Sequence, residues 1–175
     1  IENRTGHSMT EHLDAAARAV AQWKQELPEL EAENMLLIGR LKRAAALIAR
    51  ELEKVYGEYG LTEGSFDVLA TLRRSGAPYT LTPTELFSSL MVTSGTMTTR
   101  LKNLENQGLI DRLPNPDDAR SMLVRLTDKG KELIEKALFP HVENEKRLMK
   151  KLDLKTKTSL EYGLETWLEV LEGSR

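Results

Sequence analysis

Between residues 81 and 130 the chain sets two short helical patterns almost end to end and follows them with two strand-like runs. The helical patterns cover 81–87 and 93–104, and only Leu90, Met91, Val92 and their immediate neighbours lie between them. That is too little chain for anything but a tight helix–helix turn. Gly108 closes the second pattern, and 109–113 and 122–127 then read as strands. The turn-rich Pro114-Asn115-Pro116-Asp117-Asp118-Ala119-Arg120 joins them. A helix-turn-helix backed by a hairpin tipped with Arg suits a DNA duplex. Its second helix fits the major groove, and the hairpin wing reaches phosphates or the neighbouring minor groove.

Charge alone does not announce such a role, because the net charge is −2 and nucleic-acid binders usually carry a basic footprint. The charges are segregated along the chain, however. Glu26, Glu29, Glu31, Glu33 and the C-terminal helix hold much of the acid, whereas Arg100, Lys102, Arg112, Arg120 and Arg125 fall in the winged segment. An acidic protein can present one local basic face in this way.

Several other classes are disfavoured. The chain has no cysteine, which removes disulfides, thiolate metal sites and cysteine nucleophiles. His7, His12 and His141 lack partners at metal-site spacing, so neither a metal nor another cofactor is expected. No clustered nucleophile or acid–base pair suggests an enzyme. No apolar run approaches the roughly 20 residues of a membrane span. Residues 1–8 have no apolar stretch of the kind a signal peptide needs and read as an expression-vector remnant ahead of a natural start at Met9. A cytoplasmic protein is expected.

Long helices flank the winged segment. Leu13, Ala16, Val20, Trp23 and Leu27 recur at three- and four-residue spacing, the period of an amphipathic helix that Pro28 ends or kinks. A longer helix starts near Leu30. Its Ile38, Leu41, Ala45, Ile48, Leu52, Val55 and Tyr59 form a coiled-coil-like seam stopped by Gly60. Thr62 caps a short helix carrying Phe66, Leu69, Ala70 and Leu72, and Thr127 caps a long one kinked by Pro140. A last helix bears Leu160, Leu164, Trp167, Leu168 and Leu171.

The expected fold is therefore mainly α: a winged helix-turn-helix at 61–127 with a small β-hairpin wing. An extension helix occupies 9–29, and 30–60 with 128–175 form a helical region built from both termini. These terminal helices carry more apolar surface than a small central domain can cover. They either fold back as a monomeric bundle or pair with a second copy. The homodimer is preferred, because a helix-turn-helix usually reads two half-sites of a pseudo-palindromic operator.

The run Thr99-Arg100-Leu101-Lys102-Asn103-Leu104-Glu105-Asn106-Gln107-Gly108-Leu109-Ile110-Asp111-Arg112 resembles the MarR family of bacterial transcriptional regulators. Asp118-Ala119-Arg120 and Leu126-Thr127-Asp128-Lys129-Gly130 look like its D-x-R and L-T-x-x-G elements. The likeness extends from about residue 30 to the C-terminus. It implies a helical dimerisation region with a winged helix on each side. A narrower likeness lies in Ala21-Gln22-Trp23-Lys24-Gln25-Glu26-Leu27-Pro28-Glu29-Leu30, Gly64-Ser65-Phe66-Asp67-Val68-Leu69 and Val92-Thr93-Ser94-Gly95. These segments look like the urate-responsive branch, and the resemblance implies a ligand-responsive set at Trp23, Asp67, Arg100 and Arg112.

The residues themselves leave alternatives open. Trp23 lies on an apolar stripe and reads as core, although an indole can also cover a flat heterocycle and donate its N–H. Asp67 points away from Phe66, Leu69 and Ala70 on a helical wheel and, taken alone, is a solvated carboxylate. Arg100 projects only about 60° from the centre of the face formed by Met97, Leu101 and Leu104, at 100° per residue. It is placed to meet an internal carboxylate, as a structural pair or a functional one. Arg112 can take an anion with its guanidinium fork, contact a phosphate or pair with Asp111.

For DNA the candidates are Ser94, Thr96, Thr98, Thr99, Lys102 and Asn103 on or flanking the second helix, with Arg120 at the wing tip oriented by Asp118. Each could instead be a solvated polar residue. The reading is a homodimeric, DNA-binding regulator, a repressor in type, released by a small anion with urate or a related purine first. A MarR-type regulator responding to a phenolic or other aromatic acid is the alternative.

Overall fold

The computed structural model describes residues 13–91 and 96–173, which fall in two compact units, one ending at Arg50 and the other starting at Glu51.

The first unit holds α1 (Ala15–Glu26) and the start of α2 (Asn34–Glu58). Asp14 caps α1 by accepting a 3.0 Å hydrogen bond from the Ala17 amide. Its other carboxylate oxygen accepts from Arg40 Nε on α2 at 2.8 Å. The Ala17 amide first, and the Arg40 hydrogen bond second, hold the Asp14 carboxyl below the usual range. Where the two helices approach, a Cβ added to Gly39 would stand 3.0 Å from Ala16 Cβ. The helix α1 closes just ahead of Pro28, with the Leu27 amide donating back to the Trp23 carbonyl.

The second unit continues α2 and adds α3 (Glu63–Arg74), β1 (Thr80–Leu81), α4 (Pro83–Ser89), α5 (Met97–Asn106), β2 (Ile110–Pro114), β3 (Met122–Leu126), α6 (Asp128–Met149) and α7 (Leu154–Gly173). Local chemistry sets these boundaries. Thr62 caps α3 by accepting from the Ser65 amide, and Thr82 with Glu85 closes a capping box on α4 beside Pro83. Gly108, at φ +70, supplies the left-handed turn between α5 and β2.

Thr127 does two jobs. Its hydroxyl oxygen accepts from the Gly130 amide to cap α6, and its hydrogen is donated to the Gly108 carbonyl at 2.7 Å. Gly130 itself cannot bear a side chain, because a Cβ there would lie 2.9 Å from Leu126 Cδ1 and closer still to the Leu109 carbonyl oxygen. The L-T-x-x-G element thus welds the wing to α6.

The wing is a three-stranded antiparallel sheet in the order β1-β3-β2 rather than a lone hairpin. The register pairs Thr80 with Arg125, and Arg112 with Val124. Leu81, expected to open the first helix of the motif, instead pairs with Val124 of β3 beside Thr80, and the helix starts only at Pro83.

The core centres on α3, which packs on α4, α5, α6 and β3. Val68, Leu69, Leu72, Leu86, Leu104, Val124 and Ile134 are fully enclosed. Burying each such side chain contributes about 1.5–3 kcal/mol. The helix α6 runs through Pro140 without ending. Its C-terminal half is tied to α2 by Asn144 Nδ2 donating to the Glu51 carbonyl at 2.9 Å and by an Arg147–Glu51 ion pair at 2.7 Å. No described helix is long and apolar enough to cross a membrane.

Candidate functional site

The recognition-type helix α5 divides cleanly. Leu101 and Leu104 are buried, Met97 and Arg100 sit at the border, and Thr96, Thr98, Thr99, Lys102 and Asn103 are exposed. Thr96 occupies the N-cap position without a side-chain cap bond, so its hydroxyl is not used to hold the helix. One face is thereby anchored on the core while hydroxyl, amide and ammonium groups project outward. Such groups can meet phosphates and base edges. Ser94 lies outside the described residues.

The wing tip is a small network of turn hydrogen bonds. Asn115 Nδ2 donates to Ser121 Oγ at 2.8 Å, and Asn115 Oδ1 accepts from the Asp117 amide. Asp118 Oδ1 accepts from the backbone amide of Arg120 at 3.0 Å. Asp118 therefore orients the Arg120 backbone and leaves an exposed guanidinium on a shaped loop. Lower down the wing, Asp111 pairs with Arg125 across the strands at 2.7 Å. That contact answers the question of an Asp111–Arg112 pair: the carboxylate faces Arg125 instead.

Asp67 differs most from the helical-wheel reading. It is only 6 % exposed, because α3 is enclosed on nearly every side and has no solvent face in its middle turns. On the preceding turn, Gly64 is also buried, and the guanidinium of Arg100 lies across it. A Cβ on Gly64 would fall 2.5 Å from Arg100 Nε and closer to Cζ and Nη2. Arg100 Nη1 also donates to Met97 Sδ at 3.1 Å within α5. The cation of the recognition-type helix is thus laid on α3, one turn from a buried carboxylate.

Close by in the core, the Tyr56 ring meets Phe66 in a tilted pair at 4.5 Å between centres and stacks on His141 at 5.5 Å. Burial first, then the charges of Glu63, Glu145 and Asp67, push the Tyr56 phenol up to about 12. His141 Nε2 stands 3.2 Å from Glu145.

Arg112, in the middle of β2, is partly buried, and its Nε is enclosed without a hydrogen-bond partner among the described residues. A buried guanidinium donor left unpaired is costly, which makes this position receptive to an anion. Trp23 belongs to the first unit. It is 40 % exposed, and the only buried residue of α1 is Val20, so the apolar stripe leaves Trp23 outside any core. Among the described residues no group of His, Asp and Glu could hold a metal ion.

The sequence alone gives Gly64 no role of its own. Its signal is faint: a glycine at the second position of a capped helix, where most residues would be better helix formers.

Comparison with known proteins agrees with this architecture. A sequence model described as "MarR family" matches residues 61–122. The transcriptional regulator PecS of Dickeya dadantii is 44 % identical over 141 residues, covering 81 % of this chain and 85 % of that protein. The crystal structure of a MarR-like transcription regulator from Bacillus cereus superposes with a TM-score of 0.72 at 25 % identity, covering 79 % of this chain and 97 % of the other. A mutant E. coli MarR solved with operator DNA gives a TM-score of 0.68 at 30 % identity, covering 79 % and 99 % of the two chains. With α5 anchored by Leu101 and Leu104, its polar face outward and a three-stranded wing beside it, the chain belongs to the MarR family of DNA-binding transcriptional regulators.

Proposed function

We propose that this protein is a homodimeric repressor that leaves its operator when it binds a small aromatic anion, urate or a related purine first. The observation that carries the reading is the placement of Arg100. A cation built into the DNA-facing helix rests on α3 at Gly64, one turn from buried Asp67, while on β2 the Arg112 Nε is buried without a partner among the described residues.

In this reading Arg112 holds the anion and the added negative charge repels Asp67. The balance between Asp67 and Arg100 then changes. Because Arg100 is part of α5, the helix shifts and the two half-site contacts lose register. The ligand moves the equilibrium only by its differential affinity for the two states, so it must favour the non-binding one. Trp23 enters through the sequence resemblance alone, as an aromatic face with an N–H donor.

The exposed polar face of α5 and the free wing tip support DNA docking through Thr98, Thr99, Lys102, Asn103 and Arg120. The homodimer is supported by apolar faces the single chain leaves bare. Leu37, Ile38, Leu47 and Ile48 on α2 are exposed, and so are Leu160, Leu164, Leu168 and Leu171 on α7. Domain roles follow the same division: extension at 9–29, dimerisation through 30–60 and 128–175, DNA reading through 61–127.

The test begins with a duplex selected by the protein from a random pool, followed by binding across a salt series. Urate is then titrated while Trp fluorescence and duplex release are read together. Coincident quenching and release are expected. Binding that ignores urate but responds to a benzoate-type aromatic acid would transfer the switch to the other ligand class.

A further inference from the structure

We propose that Gly64 is a positioning residue for the recognition helix: the gap left by its missing side chain seats the Arg100 guanidinium, and through that seat α3 fixes the pose of α5. The inference rests on the reading of α5 as the DNA-facing helix and adds a residue that the charged set alone does not contain.

Three observations carry it. Gly64 is buried, and the space its Cβ would occupy is already filled by Arg100 Nε, Cζ and Nη2. The guanidinium is also held from its own helix, through Nη1 on Met97 Sδ at 3.1 Å, so its position is tied to both α3 and α5. Glycine inside a helix is less favourable than alanine, and here it stands two residues after the Thr62 cap with no positive φ to require it. The backbone conformation does not ask for glycine at this point. The neighbouring cation does.

The atoms in the way belong to the far end of a flexible side chain. Gly64→Ala should therefore spare the fold of α3 and displace Arg100, changing the pose of α5 without removing any group that touches DNA.

The experiment compares four full-length proteins: the parent, Gly64→Ala, Arg100→Ala and the double variant. Each is assayed for affinity to the selected duplex across a salt series and for thermal unfolding. Gly64→Ala should weaken binding about tenfold or more with an unchanged salt slope. Adding Gly64→Ala to Arg100→Ala should cost no further affinity and should raise the melting temperature of that background, since alanine is the better helix former once the seat is empty.

Parent-like affinity for Gly64→Ala, or losses that multiply in the double variant, would overturn the proposal. If Gly64→Ala alone fails to unfold cooperatively, the double variant decides. Recovery of a cooperative transition supports the seat, and failure in both contradicts it. A separate Lys102→Ala control tests the underlying reading. If that change leaves affinity and salt slope untouched, α5 is not the DNA-facing helix, whatever Gly64→Ala does.

Discussion

The helix α3 and the helix α7 show two ways of using apolar residues. In α3, Phe66, Val68, Leu69 and Leu72 are enclosed by neighbours within the same chain, and even Asp67 and Thr71 are drawn inside. In α7 no residue is buried, although Leu160, Leu164, Leu168, Val170 and Leu171 are all apolar. A helix enclosed all round organises a core, whereas one with an uncovered apolar stripe needs a partner. The contrast separates what one chain completes from what, in the proposed dimer, a second copy supplies.

The comparison can be broken most decisively on α7. Leu164→Asp with Leu168→Asp places two charges on the stripe and should abolish the dimer by sedimentation while leaving helical content intact. Affinity for the selected duplex should fall about a hundredfold or more, because two half-sites are no longer read together. A dimer that survives both charges places the interface elsewhere. Leu69→Ala makes the opposite case. It should cost about 2–5 kcal/mol of stability by opening a cavity in a core the chain closes itself. The loss should be the same at low and high protein concentration, unlike that of an interface change.

Smaller effects sharpen the division between core and DNA face. Lys102→Ala and Arg120→Ala should each leave thermal unfolding unchanged and lower the salt slope of DNA binding by about one unit. Parent-like slopes in both would remove these residues from the interface. The smallest effect belongs to the Asp111–Arg125 pair on the wing. Both partners are nearly half exposed, so Arg125→Ala should change stability by only about 0–1 kcal/mol.

Much of this division is legible in the sequence, for identifiable reasons. Thr62 and Thr127 are read as caps because a hydroxyl before an apolar-periodic run has one obvious use, and both accept the expected amides. Leu101 and Leu104 are read as inward by spacing, and Lys102 and Asn103 as outward, and they are so disposed. Two residues of β1 carry no periodicity, so the third strand is invisible until β3 is there to pair with it.

Asp67 and Trp23 fail in opposite directions. A helical wheel assumes one wet face, and α3 has none in its middle turns, so Asp67 is buried. For Trp23 the wheel gives the correct stripe, but a stripe is core only where something covers it. Of the candidate site, the exposure of the outward face of α5 and of the wing Arg is readable from pattern. The seating of Arg100 on Gly64 is not, because it depends on two helices approaching within a side chain's width.

The central claim, that an anion held by Arg112 loosens the grip of α5 on DNA, is tested most directly by one pair of titrations. Parent protein and Arg112→Ala are bound to the same selected duplex, and urate is added to each. The account predicts release of the parent and retention of DNA by Arg112→Ala at the urate concentrations that free the parent. Release of both at the same concentration, or of neither, would contradict it.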